Sequence, residues 1–370
     1  MDYTGLDLHK RYLTRCVLDH SSQGVREQRK LPPTLEAVTA PLAGLEGPGT
    51  VVLEATWQWA WFHDRLTALG HRVLVAHPQQ LQLISQARCK TDPIDARKLA
   101  ELGRVTLVPA IGVPALATRE RRLRRRARAR LVRWRTRLKH RRHAVLVGEH
   151  LRAPGTDLFS VGGRVWLGAV PRPAAVRAES EVTLGRIAAL DDQGAAYDPL
   201  VRPGARELPE ARLRQSVPGS GPFGATLILA ELGTVPRFRG SEPMAAYAGL
   251  VPSTRSAGGK TAHGGVGPAG KGWLKWIRIE AVQPVTQRPG PVQAHYERLR
   301  RAKGKPKATV AAARQLCPYL YGMLREGWSY DAWRQHEIAR AGCPGQTLAS
   351  TAGEVPWLAD HPRGPPPSNG

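Results

Sequence analysis

Thr50-Val51-Val52-Leu53-Glu54, then Trp57 to Leu69, then His71–Ala76 are the stretches that decide the fold. The first is a continuous apolar run, typical of a strand buried on both faces. The second reads as a helix, with Gly70 as its natural stop. The third is another apolar strand, closed by His77-Pro78. Strand, helix and strand in that order imply a parallel pair in an α/β sheet, because parallel strands need a crossover of this length. Working outward, Tyr3–Leu8 and Tyr12–Leu18 read as two strands joined by a tight turn. Asp19 to Gly24 is turn-like, and Leu35–Leu45 is expected to be a helix closed by Gly47-Pro48-Gly49. Asp92-Pro93-Ile94-Asp95-Ala96 opens a further helix, with Asp92 suited to the N-cap and Pro93 to the first turn.

The chain of 370 residues is 42% hydrophobic, enough to bury a core across two or three domains. Its formal net charge is +25, which favours a polyanionic partner. No run of eighteen apolar residues suggests a membrane span, and Met1 to Gly5 does not begin a signal peptide. Cys16, Cys89, Cys317 and Cys343 form no CxxC pair, which argues against zinc and disulfide scaffolds and for a cytoplasmic protein. The charge is uneven. Residues 1–118 carry 13 basic and 11 acidic side chains, whereas residues 119–153 carry 15 and 2. Arg119 to about Gly148 reads as one basic helix, with Leu123, Ala127, Leu131, Trp134 and Leu138 as a heptad-like stripe. Arg124, Arg125, Arg128 and Arg135 on that helix are candidates for phosphate contacts. Ala174–Leu190 is expected to return as its partner, and a second globular unit runs from about Leu213 to Trp333.

Four acids lie in the nearly neutral N-terminal region. Asp7 sits inside a strand, where Asp is disfavoured. Glu54 ends a buried strand, where ligands of parallel sheets sit. Asp92 and Asp95 share one side of a helix start. Converging carboxylates need cations, and oxygen ligands select Mg²⁺ or Mn²⁺. The plain alternatives are a helix cap at Asp92, dipole complementation at Asp95 and surface decoration at Glu54. Ser216-Val217-Pro218-Gly219-Ser220-Gly221 before Pro222 reads as a helix–turn–helix in which Gly219 and Gly221 turn backbone N–H groups toward phosphate, or as an ordinary tight turn. Two Gly/Lys loops, ending at Lys260 and Lys271, offer phosphate contacts and lack Walker spacing. Trp57, Trp59 and Trp61 read as core residues rather than base-stacking ones.

These segments together resemble the DEDD transposases of the IS-one-ten type insertion sequences, which are related to the pilin-gene invertases. The resemblance rests on Gly5-Leu6-Asp7-Leu8-His9-Lys10, Leu53-Glu54-Ala55-Thr56, Ala76-His77-Pro78 and Lys90 to Ala96. It continues through Val217 to Gly221, Ala246-Tyr247-Ala248-Gly249-Leu250-Val251-Pro252-Ser253 and Gly258-Gly259-Lys260. It implies a RuvC-like, ribonuclease-H-type domain over 1–117, with Asp7, Glu54, Asp92 and Asp95 as its metal-binding tetrad. It implies basic coiled-coil helices over 118–210, and a mainly helical transposase domain with a helix-hairpin-helix-like motif over 211–335. A disordered tail is expected over 336–370. The resemblance further implies a transposase that excises and inserts its own insertion sequence. Its expected partners are DNA, an element-encoded structured RNA and further copies of itself in a dimer or tetramer, in the cytoplasm at the nucleoid. A serine of the second domain is the family's nucleophile. Counting from Pro252, its usual place falls on Ala257, with Ser256 one place earlier, so Ser256 is the candidate here. Trp57 stands where glycine is usual, and Pro268-Ala269-Gly270-Lys271 replaces a usual Lys-x-Gly-Asn. Two rival readings are a resolvase-like nuclease without a serine nucleophile, and a transposase remnant that binds nucleic acid without catalysis.

Overall fold

The structure is a computed structural model that describes residues 2–19, 24–39, 48–84, 91–155, 157–257, 260–267 and 270–342. The chain forms two compact units, Met1–Pro114 and Ala115–Gly370.

The first unit is built on strands β1 (Tyr3–Leu8), β2 (Leu13–Leu18), β3 (Val25–Leu31), β4 (Thr50–Glu54) and β5 (Arg72–Ala76). Their order is β3-β2-β1-β4-β5. The first three pair antiparallel, and β4 and β5 run parallel to β1. The expected parallel pair forms, with α2 (Trp59–Ala68) as its crossover. β3 lies where a turn was followed by no expected strand. Its sequence, Val-Arg-Glu-Gln-Arg-Lys-Leu, lacks an apolar alternation, and such charged strands suit a sheet edge. It is tied inward by Arg15 of β2, a buried guanidinium that pairs with Glu27 and donates to the Ala37 and Val38 carbonyls. α1 (Leu35–Thr39) forms at the start of the expected helix, and the rest of that segment lies outside the described residues. One face of the sheet packs Leu6, Leu53 and Val51 against Val38, Phe62 and Leu66 of α1 and α2. The other packs Val52 and Cys16 against α3 (Pro78–Ile84) and α4 (Asp92–Arg104).

The second unit is helical. α5 (Leu116–Gly148) is the expected basic helix, α6 (Val161–Ala169) follows, and α7 (Ala174–Glu207) packs along α5. α7 runs 34 residues, through Pro199 and Pro203, well past the expected end at Leu190. Proline normally ends a helix by removing one backbone hydrogen bond and crowding the turn before it. Here a ladder of ion pairs holds α7 against α5. Arg142, Arg135 and Arg128 meet Glu179, Asp191 and Asp198 at 2.7, 2.7 and 2.9 Å. These arginines repeat every seven residues, so the heptad of this helix pair is charged. The expected apolar stripe is buried only in part: Leu131 is buried and Leu138 packs on a core cluster, whereas Leu123 and Trp134 are exposed, and Arg125, Ala129, Arg142 and Leu146 are the other buried positions.

Helices α8 (Pro209–Gln215), α9 (Pro222–Leu232), α10 (Ser241–Tyr247), α11 (Gly272–Thr286), α12 (Pro291–Lys303), α13 (Lys305–Glu326) and α14 (Tyr330–Gly342) complete the unit. Between α10 and α11 lies the hairpin β6 (Thr254–Ala257) and β7 (Lys260–His263). The core joins Ile228 and Leu232 of α9 to Leu274 and Val282 of α11 and Leu316 and Leu320 of α13. α14 carries helix to Gly342, past the boundary expected at 335; residues 343–370 of the expected tail lie outside the described residues.

Candidate functional site

Side chains alternate across a strand, so Gly5 and Asp7 of β1 face the same side, as do Val52 and Glu54 of β4. That side is the one α4 covers. Gly5 fixes how closely: a Cβ there would be driven into the Ala96 carbonyl oxygen, with the Ala100 nitrogen 2.7 Å away. Two residues along β1 advance about 6.8 Å and four along α4 about 6 Å. Contact between Gly5 and Ala96 therefore sets Asp7 level with the first turn of α4, where Asp92 and Asp95 sit.

The side chains meet accordingly. Asp7, Glu54 and Asp95 line one small pocket, together with Leu81 and Gln82 of α3 and Lys98. Asp92 is joined to Asp7 through His9, whose Nε2 lies 3.0 Å from Asp7 and 3.4 Å from Asp92. Lys98 Nζ is 3.9 Å from Asp95. Asp7 is nearly buried, and its pKa is raised above the ordinary carboxylate value. Burial is the main cause; His9 opposes it, and Asp95 and Asp92 add to it. One ligand atom each from Asp7, His9 and Asp92 lie within 4.8 Å of one another. Crowded carboxylates of which one is desolvated are the donor set a hard divalent cation satisfies.

Asp92 does not cap its helix. The N-cap is Thr91, without a side-chain cap bond, and the Asp92 carboxylate accepts the Tyr12 hydroxyl at 2.8 Å. The tyrosine pKa rises chiefly through that bond. His9 and Tyr12 were not singled out from sequence. The available signal for His9 was its spacing, two residues after Asp7. Tyr12 gave none, because its partner lies 80 positions away. Trp57, expected in the core, is fully exposed and Trp61 nearly half so, just beyond Glu54; Trp59 packs on the core, and Trp61 meets the core residue Phe62 edge-on, with ring centroids 4.9 Å apart.

In the second unit the expected arginine contacts change role. Arg125 is 3% exposed, donates to the Arg121 carbonyl, and is held down to about 10, mainly by burial. It is unavailable to phosphate. Arg128 and Arg135 are engaged by Asp198 and Asp191. Arg124 stays exposed, 3.9 Å from Glu120. The α8–α9 turn forms, but the Ser220 and Gly221 N–H groups donate to Val217 and Gly219. Gly219, at φ +73°, is required by packing, since a Cβ would strike Pro284 of α11. Ser256 is exposed on β6, opposite Thr261, and Ala257 pairs with Lys260 at the hairpin end. Gly258 and Gly259 lie outside the described residues. Lys271 precedes α11 and its N–H donates to the Tyr247 carbonyl at 3.0 Å. Among the described residues no helix is long and apolar enough to cross a membrane.

Comparison with known proteins matches both units. Residues 4–150 match the sequence model of IS110-type DEDD transposases, described as Transposase. Residues 211–297 match the Transposase IS116/IS110/IS902 family. The chain is 26% identical over 295 residues to a probable family 20 transposase of Pseudomonas aeruginosa, covering 76% of this chain and 80% of that one. It is 27% identical over 143 residues to an uncharacterized 44.8 kDa protein of insertion element IS116 from Streptomyces clavuligerus, covering 38% and 36%. It is 32% identical over 120 residues to an uncharacterized 43.6 kDa protein of insertion element IS110 from Streptomyces coelicolor, covering 32% and 29%. The chain thus spans about a third of the length of the two Streptomyces proteins it matches. With both units matched in order, the chain belongs to the IS110-type DEDD transposases.

Proposed function

We propose that the protein cuts and rejoins DNA strands at the ends of its own insertion sequence. The observation that carries this is the gathering of Asp7, Glu54 and Asp95 in one pocket, with Asp92 held beside Asp7. The strand order and the helix-covered acid face support a RuvC-like, ribonuclease-H-type reading of residues 1–117. Residues 118–210 would be the basic helical segment and 211–335 the transposase domain. Asp7, Glu54, Asp92 and Asp95 would hold Mg²⁺ or Mn²⁺, which supply charge stabilisation at the phosphoryl oxygens. Tyr12 fixes the Asp92 carboxylate, and His9 holds Asp7 and Asp92 together.

Ser256 is the proposed nucleophile. Its Oγ forms an ester bond to phosphorus as one P–O bond of the strand breaks and the departing deoxyribose oxygen takes a proton. Exposed Arg124, Arg130, Arg137 and Arg141 of α5, with Lys260 and Lys271, would bind DNA phosphates and an element-encoded RNA that pairs with donor and target. Phe223 and Gly224 at the start of α9 would supply N–H groups next to the Gly219–Gly221 turn. Trp57 offers a bare ring for base stacking beside the acids. The copies would act as a dimer or tetramer.

Ala257 at the usual serine place favours one second reading, a resolvase-like nuclease that uses water. Strand exchange on DNA carrying the element ends, with Mg²⁺, tests both readings. Loss in both Asp92→Asn and Ser256→Ala supports the transposase. Full exchange by Ser256→Ala selects the nuclease. Salt-sensitive binding without any cleavage by the wild type selects the non-catalytic remnant.

A further inference from the structure

Arg214 of α8 and Arg278 of α11 line a small cavity with Leu316, Tyr319 and Tyr330. They are 4% and 3% exposed. Arg214 Nε and both Nε and Nη2 of Arg278 lack a hydrogen-bond partner among the described residues. Arg214 Nη2 reaches Ser220 Oγ at a long 3.4 Å. Neither guanidinium makes an ion pair among the described residues. The nearby acid, Glu242, is engaged by Arg314 at 2.9 Å. Cys317 borders both arginines, but its Sγ donates to the Ala313 carbonyl and burial pushes its pKa up, so it is a neutral thiol. Burial and Arg278 hold the Arg214 pKa down to about 9, still charged at neutral pH.

Two buried positive charges without a counter-charge are strongly unfavourable, and proteins resolve this by pairing them. The cavity has room for a body about the size of one water molecule. That excludes a phosphodiester backbone. We propose that the cavity between Arg214 and Arg278 binds a small monovalent inorganic anion of halide size. The anion joins α8 to α11, the helix whose Pro284 receives Gly219. It thereby fixes the α8–α9 turn from inside, independently of any DNA held outside.

The test uses the full chain. Crystals soaked in sodium bromide are expected to show an anomalous peak between the two guanidiniums. Melting in sodium chloride is expected to exceed melting in sodium gluconate of equal ionic strength by about 2–4 °C, saturating with chloride. Equal ionic strength removes general screening of the +25 charge. Arg278→Met is expected to abolish the difference, and Arg301→Gln, on the exposed side of α12, to keep it. If Arg278→Met does not fold, the wild-type peak and salt series decide. An absent peak, or equal melting in the two salts, overturns the proposal.

Discussion

Replacing Arg126 by methionine separates arginines that build the basic helix from arginines that touch nucleic acid. Arg126 donates to both carboxylate oxygens of Glu231 on α9, at 2.6 and 2.7 Å. Glu231 is fully buried. Arg122 adds bonds to the Ala230 and Glu231 carbonyls at 2.6 and 3.0 Å. Arg126→Met leaves a desolvated carboxylate without its two charge-assisted bonds. Breaking a buried pair in this way costs about 3–5 kcal/mol. For a unit of this size that is a fall in melting temperature of about 6–20 °C. The pair Arg126→Met with Glu231→Leu removes both charges and keeps the volume, so most of the loss is expected to return. Thermal unfolding of the full chain gives all three values. A salt titration of DNA binding gives the second readout, whose slope is expected to stay at the wild-type value. A loss below about 1 kcal/mol, the range of surface pairs, or a slope smaller by about one, would refute this reading of the helix.

Three further outcomes follow from the first unit. Gly5→Ala pushes α4 off β1, costing about 1–3 kcal/mol or more, and is expected to weaken divalent-metal binding together with stability in a thermal scan with and without Mn²⁺. The raised Asp7 pKa means that the folded state holds a proton more tightly than the unfolded one. Metal-free stability therefore falls as pH rises from the unfolded value near 3.8 through the higher folded value. Asp7→Asn is expected to flatten that pH profile, read by melting from pH 4 to 8. Trp57→Gly, the family's usual residue here, is expected to weaken single-strand binding by about 1–3 kcal/mol without changing melting, read by fluorescence anisotropy.

Much of the acid site was legible because it lies in local pattern. The apolar run before Glu54, the out-of-place Asp7 and the Asp92-Pro93-x-Asp95 helix start each announce themselves. His9 bridging two carboxylates and Tyr12 reaching Asp92 depend on the distance between β1 and α4, which no local pattern encodes. The edge strand β3 was missed because it is polar, and edge strands need little apolar surface. The α5 stripe misled for the opposite reason. Apolar spacing pointed to Leu123 and Trp134, while the seam with α7 is set by Arg128, Arg135 and Arg142. Acid partners on another helix, 37 to 70 positions away, are invisible to a heptad count. Arginine density likewise said polyanion, and burial of Arg125 and pairing of its neighbours move that role to the exposed face.

Asp7, Glu54, Asp92 and Asp95 are proposed to form one divalent-cation site. Titrating Mn²⁺ into the full-length protein, followed by electron paramagnetic resonance of the free ion, tests it most directly. The wild type is expected to bind, and both Asp7→Asn and Asp92→Asn to bind at least tenfold more weakly, on the order of what loss of even a supporting partner causes, with far-ultraviolet circular dichroism unchanged. Wild-type affinity in both folded variants would contradict it.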